Sequence, residues 1–116
     1  MSYLIKISLL INIVVLVPIC YGLITKASWV DASYGSFTPA RGILLSVYIA
    51  ILLGSMLLLF KPDPKFVAAL LVVQIVYKFT TPFTVGTATN PVVMSNLIIA
   101  FFHTITLVVI WQNNLM

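Results

Sequence analysis

The chain has 116 residues, 62% of them hydrophobic, with six basic and two acidic residues and a net charge of +4. A soluble domain carries about a quarter charged residues; with 7% this chain cannot cover a water-facing surface, and a soluble globular fold is excluded. A mean hydropathy of +1.20 is equally the reverse of a disordered composition.

A membrane-crossing helix needs about 20 mostly apolar residues, so this length admits four crossings, short connections and no soluble catalytic domain. The first apolar stretch covers residues 4–24 and contains Lys6, Asn12 and Pro18. Lys6 ahead of an apolar run has the form of a signal peptide, but Thr25-Lys26-Ala27 is a poor cleavage site, and a retained span is expected. Ile19 also stands where a lipoprotein motif at Cys20 needs a small residue. Residues 25–39 form the longest polar segment, with Lys26, Trp29, Asp31, Tyr34 and Gly35. The second span, residues 40–60, opens with Arg41 and is otherwise uncharged. Lys61-Pro62-Asp63-Pro64-Lys65 reads as an abrupt turn, because two prolines and three charges cannot continue a helix in lipid. The third stretch, residues 66–83, holds Gln74 and Lys78 and fades near Pro82. Residues 84–90 loop through Gly86, and Pro91 suits the first turn of the fourth span, residues 91–111. Gln112-Asn113-Asn114 makes a polar tail.

Barrel strands alternate in polarity and last about 10 residues, which these runs do not do. Helices satisfy their own backbone hydrogen bonds in lipid, so the fold class expected is all-α: a single transmembrane domain over residues 1–116, an integral membrane four-helix bundle with short loops. Four spans place both termini and the 61–65 turn on one side. Lys6, Lys61 and Lys65 stand there against Lys26, Arg41 and Lys78 towards the other, so the positive-inside rule comes close to a tie. Cytoplasmic termini are expected, since the longer aromatic loop is easier to place outside, and a dual-topology arrangement stays open. Localisation in the inner or plasma membrane of a prokaryote, as a multi-pass protein, is expected. Trp29, Tyr34, Phe37 and Trp111 have the look of interfacial anchors, and residues 32–39 have the length to cap a pocket.

On the second span, Gly42, Ser46, Ala50 and Gly54 recur every fourth residue and form one stripe of small side chains. Helices in lipid associate by close van der Waals packing, which such stripes permit. The stripe serves either packing within this bundle or docking of another subunit or a second copy.

The scarce polar residues fall at matching depths. At about 1.5 Å rise per residue, Gln74 lies roughly 12 Å into the third span, and His103 and Asn12 lie at similar depths on the fourth and first. Ser55 on the second span falls slightly shallower. Lys78 lies one turn beyond Gln74, and Asn96 two turns before His103, so an antiparallel hairpin of the last two spans brings Gln74 near His103 and Lys78 towards Asn96. Polar groups are costly in hydrocarbon and turn inward to pair. Three readings of this layer are open: interhelical hydrogen bonding that fixes register, a pocket for a small polar ligand or lipid headgroup, or a proton or ion path. The absence of Asp or Glu from the spans weakens the last. Lys78 needs a compensation for its charge, either by snorkelling or by pairing with Asp31, which has Arg41 as its other possible partner.

A single His and a single Cys cannot assemble a metal site, and a bis-imidazole haem would need two copies, so no metal or cofactor is expected. A lone Cys20 excludes an internal disulfide. The thinly spread positive charge gives no nucleic-acid footprint. No nucleophile–base set or phosphate loop is present, and the chain is not expected to be an enzyme.

The stretch from Ala40-Arg41-Gly42 through Tyr48 to Leu57, with Gln74-Ile75-Val76-Tyr77-Lys78, Asn90-Pro91 and Asn96, resembles uncharacterised small bacterial four-span proteins of unknown function. That resemblance spans about residues 38–110 and implies a four-helix membrane architecture without an activity. The function expected is that of an accessory or structural subunit of a larger membrane complex, in contact with membrane lipids and with other membrane subunits or further copies of itself. The alternative is a homo-oligomeric small-solute or ion transporter or channel built on Gln74, Lys78 and His103.

Overall fold

A computed structural model describes residues 2–87 and 89–113; Asn114 of the polar tail lies outside the described residues. Five helices follow in order: α1 (Ser2–Thr25), α2 (Ser28–Tyr34), α3 (Pro39–Phe60), α4 (Pro64–Val85) and α5 (Pro91–Gln112). Four of them are long and apolar enough to cross a membrane, and α2 is the exception. A 22-residue helix is about 33 Å long, which matches a hydrocarbon core of roughly 30 Å. The chain is thus a multi-pass integral membrane bundle.

The last three spans begin with the same local device. A short polar residue caps the helix and a proline fills its first position: Thr38-Pro39, Asp63-Pro64 and Asn90-Pro91. Thr38 Oγ1 accepts from the Arg41 amide at 3.3 Å, Asp63 Oδ1 from Lys65 at 3.0 Å, and Asn90 Oδ1 from Val92 at 2.8 Å. Each side chain satisfies a first-turn donor, and the proline costs no hydrogen bond there. Gly86 closes α4 in the left-handed conformation, φ +89°, which a side chain resists.

Two departures from the sequence reading have physical causes. Helix α4 does not fade at Pro82 but continues to Val85. A proline removes the amide that would bond the carbonyl four residues back, here that of Lys78. Thr81 Oγ1 donates to the Lys78 carbonyl at 2.6 Å and replaces the lost bond, so the helix continues. The second departure is α2, a helical turn inside the segment read as polar loop. Val30 is its buried anchor, and Trp29 leans on α1 at Gly22.

That approach is close enough to require glycine. A Cβ on Gly22 would overlap the Trp29 ring and press on Val30. Gly22→Ala is expected to lift α2 off α1 and cost about 1–3 kcal/mol, the range for overpacking. A shifted Trp29 emission together with a lower melting temperature in detergent would register it.

The bundle is two hairpins: α1 packs chiefly on α3, and α4 on α5. The hairpins meet more sparsely, through α1 against α5 and α3 against α4. Apolar cores occupy the two ends. Ile5, Leu9, Val67, Ala68, Leu71 and Ile110 pack at the end nearer the termini. Leu16, Cys20, Leu23, Val30, Tyr48 and Ile51 pack at the α2 end. Between them lies the polar layer.

Candidate functional site: a polar layer and the cavity beside it

Asn12, Ser55, Gln74 and His103 are all buried at this level, each on a different span. Asn12 is the hub. Its Oδ1 lies 2.9 Å from His103 Nε2, and its Nδ2 donates to Ser55 Oγ at 3.0 Å. An amide oxygen only accepts, so in this arrangement His103 is the Nε2–H tautomer and its Nδ1 is an acceptor. One turn towards the termini, Ser8 Oγ and Thr106 Oγ1 share a hydrogen bond of 2.8 Å. These bonds tie α1 to α3 and to α5, and the α5 bonds bridge the sparse seam between hairpins.

Gln74 reaches the same layer with a different outcome. Fully buried, it donates only a long 3.5 Å bond to the Leu70 carbonyl of its own helix. Its Oε1 has no donor, and neither does His103 Nδ1. The expected Gln74–His103 proximity therefore gives a shared layer but not a mutual hydrogen bond. Asn12, not Gln74, holds the imidazole.

Towards α2 the spans part around a cavity of about 250 Å³. Its polar wall is formed by Ser33 and Tyr34 of α2, Lys78 of α4, and Ser95 and Asn96 of α5. Lys78 and Asn96 thus line one cavity, as expected of an antiparallel hairpin. A second cavity of about 170 Å³ shares Ser33, Tyr34, Tyr48, Tyr77 and Asn96 and extends beneath α2. Tyr34 does not act as an interfacial anchor. It turns inward, its ring edge-on to Tyr48 at 6.1 Å between centroids, while Trp29, Phe37 and Trp111 stay exposed. Burial pushes the Tyr34 phenol above its usual range, so its unpartnered hydroxyl keeps its proton and remains a donor. The cap over the cavity is α2, through Trp29, Ser33 and Tyr34; of residues 32–39 only Ser33 and Tyr34 line it.

The ion pair resolves in favour of Arg41. Its Nη1 lies 2.6 Å from Asp31 Oδ1 and donates to the Gly35 carbonyl at 2.7 Å. The arginine is 3% exposed and the aspartate 52%, so the pair seals the α2 loop with its acid facing the interface. Lys78 takes no part in it. Asp31→Ala is expected to cost about 1–3 kcal/mol by leaving a buried guanidinium with one partner fewer, and Asp31→Asn less. Thermal unfolding in detergent would rank the two.

The small-residue stripe faces the other way from the bundle interior. Arg41, Tyr48, Ile51 and Ser55 form the inward face of α3. At 3.6 residues per turn, Gly42, Ser46, Ala50 and Gly54 stand about half a turn away. Ser46 and Ala50 are exposed, and a Cβ on Gly54 would meet nothing within 4 Å. Packing within the bundle is thereby corrected: large side chains such as Tyr48 and Ile51 fill the interior, and the stripe is left outside.

Sequence reasoning missed the Ser8–Thr106 bond, the Tyr34–Tyr48 pair with Tyr77 on the same cavity wall, and the Thr81 repair of Pro82. Only the last had a signal, a threonine directly before a proline in an apolar run. No family model, curated protein or solved structure matches the chain.

Proposed function

We propose that the chain is an accessory subunit of a larger membrane assembly, held through the outward face of α3, in the plasma membrane of a prokaryote. The observation that carries this reading is the stripe from Gly42 to Gly54, which lies open on the face opposite the core. Ile43, Val47 and Leu53 stand exposed beside it, so the face is a shallow apolar channel between larger side chains. Lipid tails solvate any apolar surface, but a second helix seated in such a channel gains backbone-level van der Waals contact. The partner is another membrane subunit or a further copy of this chain. Gentle extraction from native membranes followed by native mass spectrometry tests the reading. A defined complex is expected, and a chain that emerges only as a monomer overturns it.

A homo-oligomeric transporter is the second reading, favoured by the unpartnered acceptors of Gln74 and His103 in mid-membrane. Against it, Leu9, Leu71 and Ile110 are fully buried in the apolar core on the termini side of the layer and close the way through. Proteoliposome flux lost on His103→Ala would support transport, and flux indifferent to that change would count against it.

A further inference from the structure

We propose that the α2-capped cavity binds the anionic head of an amphiphile, with Lys78 as the charge that receives it. Charge points to this site independently of the assembly reading. Lys78 is 5% exposed on a membrane span, and no carboxylate pairs with it among the described residues. Both acids of the chain are committed elsewhere. Asp31 holds Arg41, and Asp63 caps α4 at the opposite end of that helix. The Tyr77 ring lies with its centroid 5.8 Å from Nζ, too far to stand in for a counter-charge. A buried ammonium with no counter-charge is strongly disfavoured in hydrocarbon.

Snorkelling does not remove the difficulty. Lys78 lies seven residues from the C-terminal end of α4, about 10 Å from that interface. Helical side chains lean towards their own N-terminus, which here leads away from the nearer interface and towards the polar layer. Lys78 instead lines the cavity, with its Nζ on the side of Tyr77, another residue of the same wall.

The rest of the cavity completes the chemistry. The unpartnered Tyr34 hydroxyl and the Asn96, Ser95 and Ser33 side chains offer donors around the same space. A carboxylate or phosphate accepts from all of them, and charge-assisted bonds to Lys78 and Tyr34 are the strong ones. The remaining wall is apolar: Val15, Leu16 and Ile19 of α1, with the Trp29 and Tyr48 rings. A volume of about 250 Å³ holds roughly eight water-sized groups at about 30 Å³ each. That suits an anionic head and its first few carbons, not a whole diacyl lipid. Val15 and Ile19 are only half-buried, so a longer tail can run out along α1 into the bilayer. The shared chemistry is a single anionic group on an apolar tail, supplied by a free fatty acid or by an anionic phospholipid.

Native mass spectrometry of the full chain in detergent, titrated with oleate, with phosphatidylglycerol and with phosphatidylcholine, tests the site. One saturable adduct is expected, at least tenfold tighter for an anionic amphiphile than for phosphatidylcholine. Oleate alone giving that adduct identifies a fatty-acid site, and phosphatidylglycerol alone a headgroup site. Lys78→Met should erase the preference, Lys78→Arg should keep it, and Lys26→Met should leave it unchanged. Should Lys78→Met fail to fold, quenching in the unsubstituted chain decides: brominated anionic amphiphile should quench Trp29, beside the cavity, to saturation at one equivalent, and brominated phosphatidylcholine should not. Equal affinity for the three lipids, a preference that survives Lys78→Met, or quenching without saturation overturns the proposal.

Discussion

A chain carrying Ala50→Leu and Gly54→Leu is expected to insert and melt like the unsubstituted protein and yet to lose its partner. Neither position contributes to the interior: Ala50 is exposed, and a side chain at Gly54 enters open space. The added leucines are therefore neutral to the isolated bundle, and they also replace a helix-destabilising glycine. At a helix–helix contact the same leucines hold the two backbones apart and forfeit the close packing that drives association in lipid. Loss of only about 1.4 kcal/mol weakens association tenfold, and two inserted side chains should exceed that. Native mass spectrometry or energy transfer in liposomes measures the loss. The opposite face of the same helix supplies the contrast. Ile51→Ala removes a buried side chain and should cost about 2–4 kcal/mol of stability through the cavity it leaves, with association less affected than by the leucines. If the double leucine variant assembles at full strength, the α3 face is not the docking surface.

How much of this was legible beforehand follows from which physical signals are local. The four spans, the 61–65 turn and the start at Pro91 rest on runs of apolar residues and on proline chemistry, which a sequence displays directly. The common depth of Asn12, Gln74 and His103 also follows, since helical rise converts residue number into height. Rotation about each helix axis does not follow, because these spans are apolar nearly all round and carry little amphipathic asymmetry. For that reason the stripe on α3 could be seen as a stripe while its direction stayed open, and Gln74 could be placed beside His103 in height but not in hydrogen bonding. The α2 turn was hidden for a different reason. Seven residues are too few to show periodicity, and its helix is held by Val30 and Trp29 seated against α1 rather than by propensity. The Asp31 choice between Arg41 and Lys78 depended on that turn, which carries Asp31 to the mouth of α3.

Asn12→Leu is expected to be the most damaging substitution inside the bundle, and its damage should be partly repaired by a second apolar substitution. Asn12 makes two side-chain bonds, to His103 and to Ser55, and so links α1 to two other spans. Removing it leaves an imidazole with both ring nitrogens unpartnered, since Nδ1 has no donor even with Asn12 present. Interhelical hydrogen bonds in membranes average only about 0.6 kcal/mol. Stranding a buried polar group costs more, about 1–3 kcal/mol. The single variant should therefore lose about 2–4 kcal/mol, beyond what the bonds alone contribute. Once His103 is also replaced, as in Asn12→Leu with His103→Phe, the stranded group is gone and much of that loss should return. A cycle of the two single variants, the double variant and the unsubstituted chain, followed by reversible unfolding in mixed micelles, separates bond energy from stranding. Strictly additive effects would mean that the imidazole finds another partner when Asn12 is lost, with the unpartnered oxygen of Gln74 the nearest candidate in height. A strongly non-additive cycle, with the double variant more stable than Asn12→Leu alone, identifies the layer as a fastening between hairpins that tolerates no half-measure.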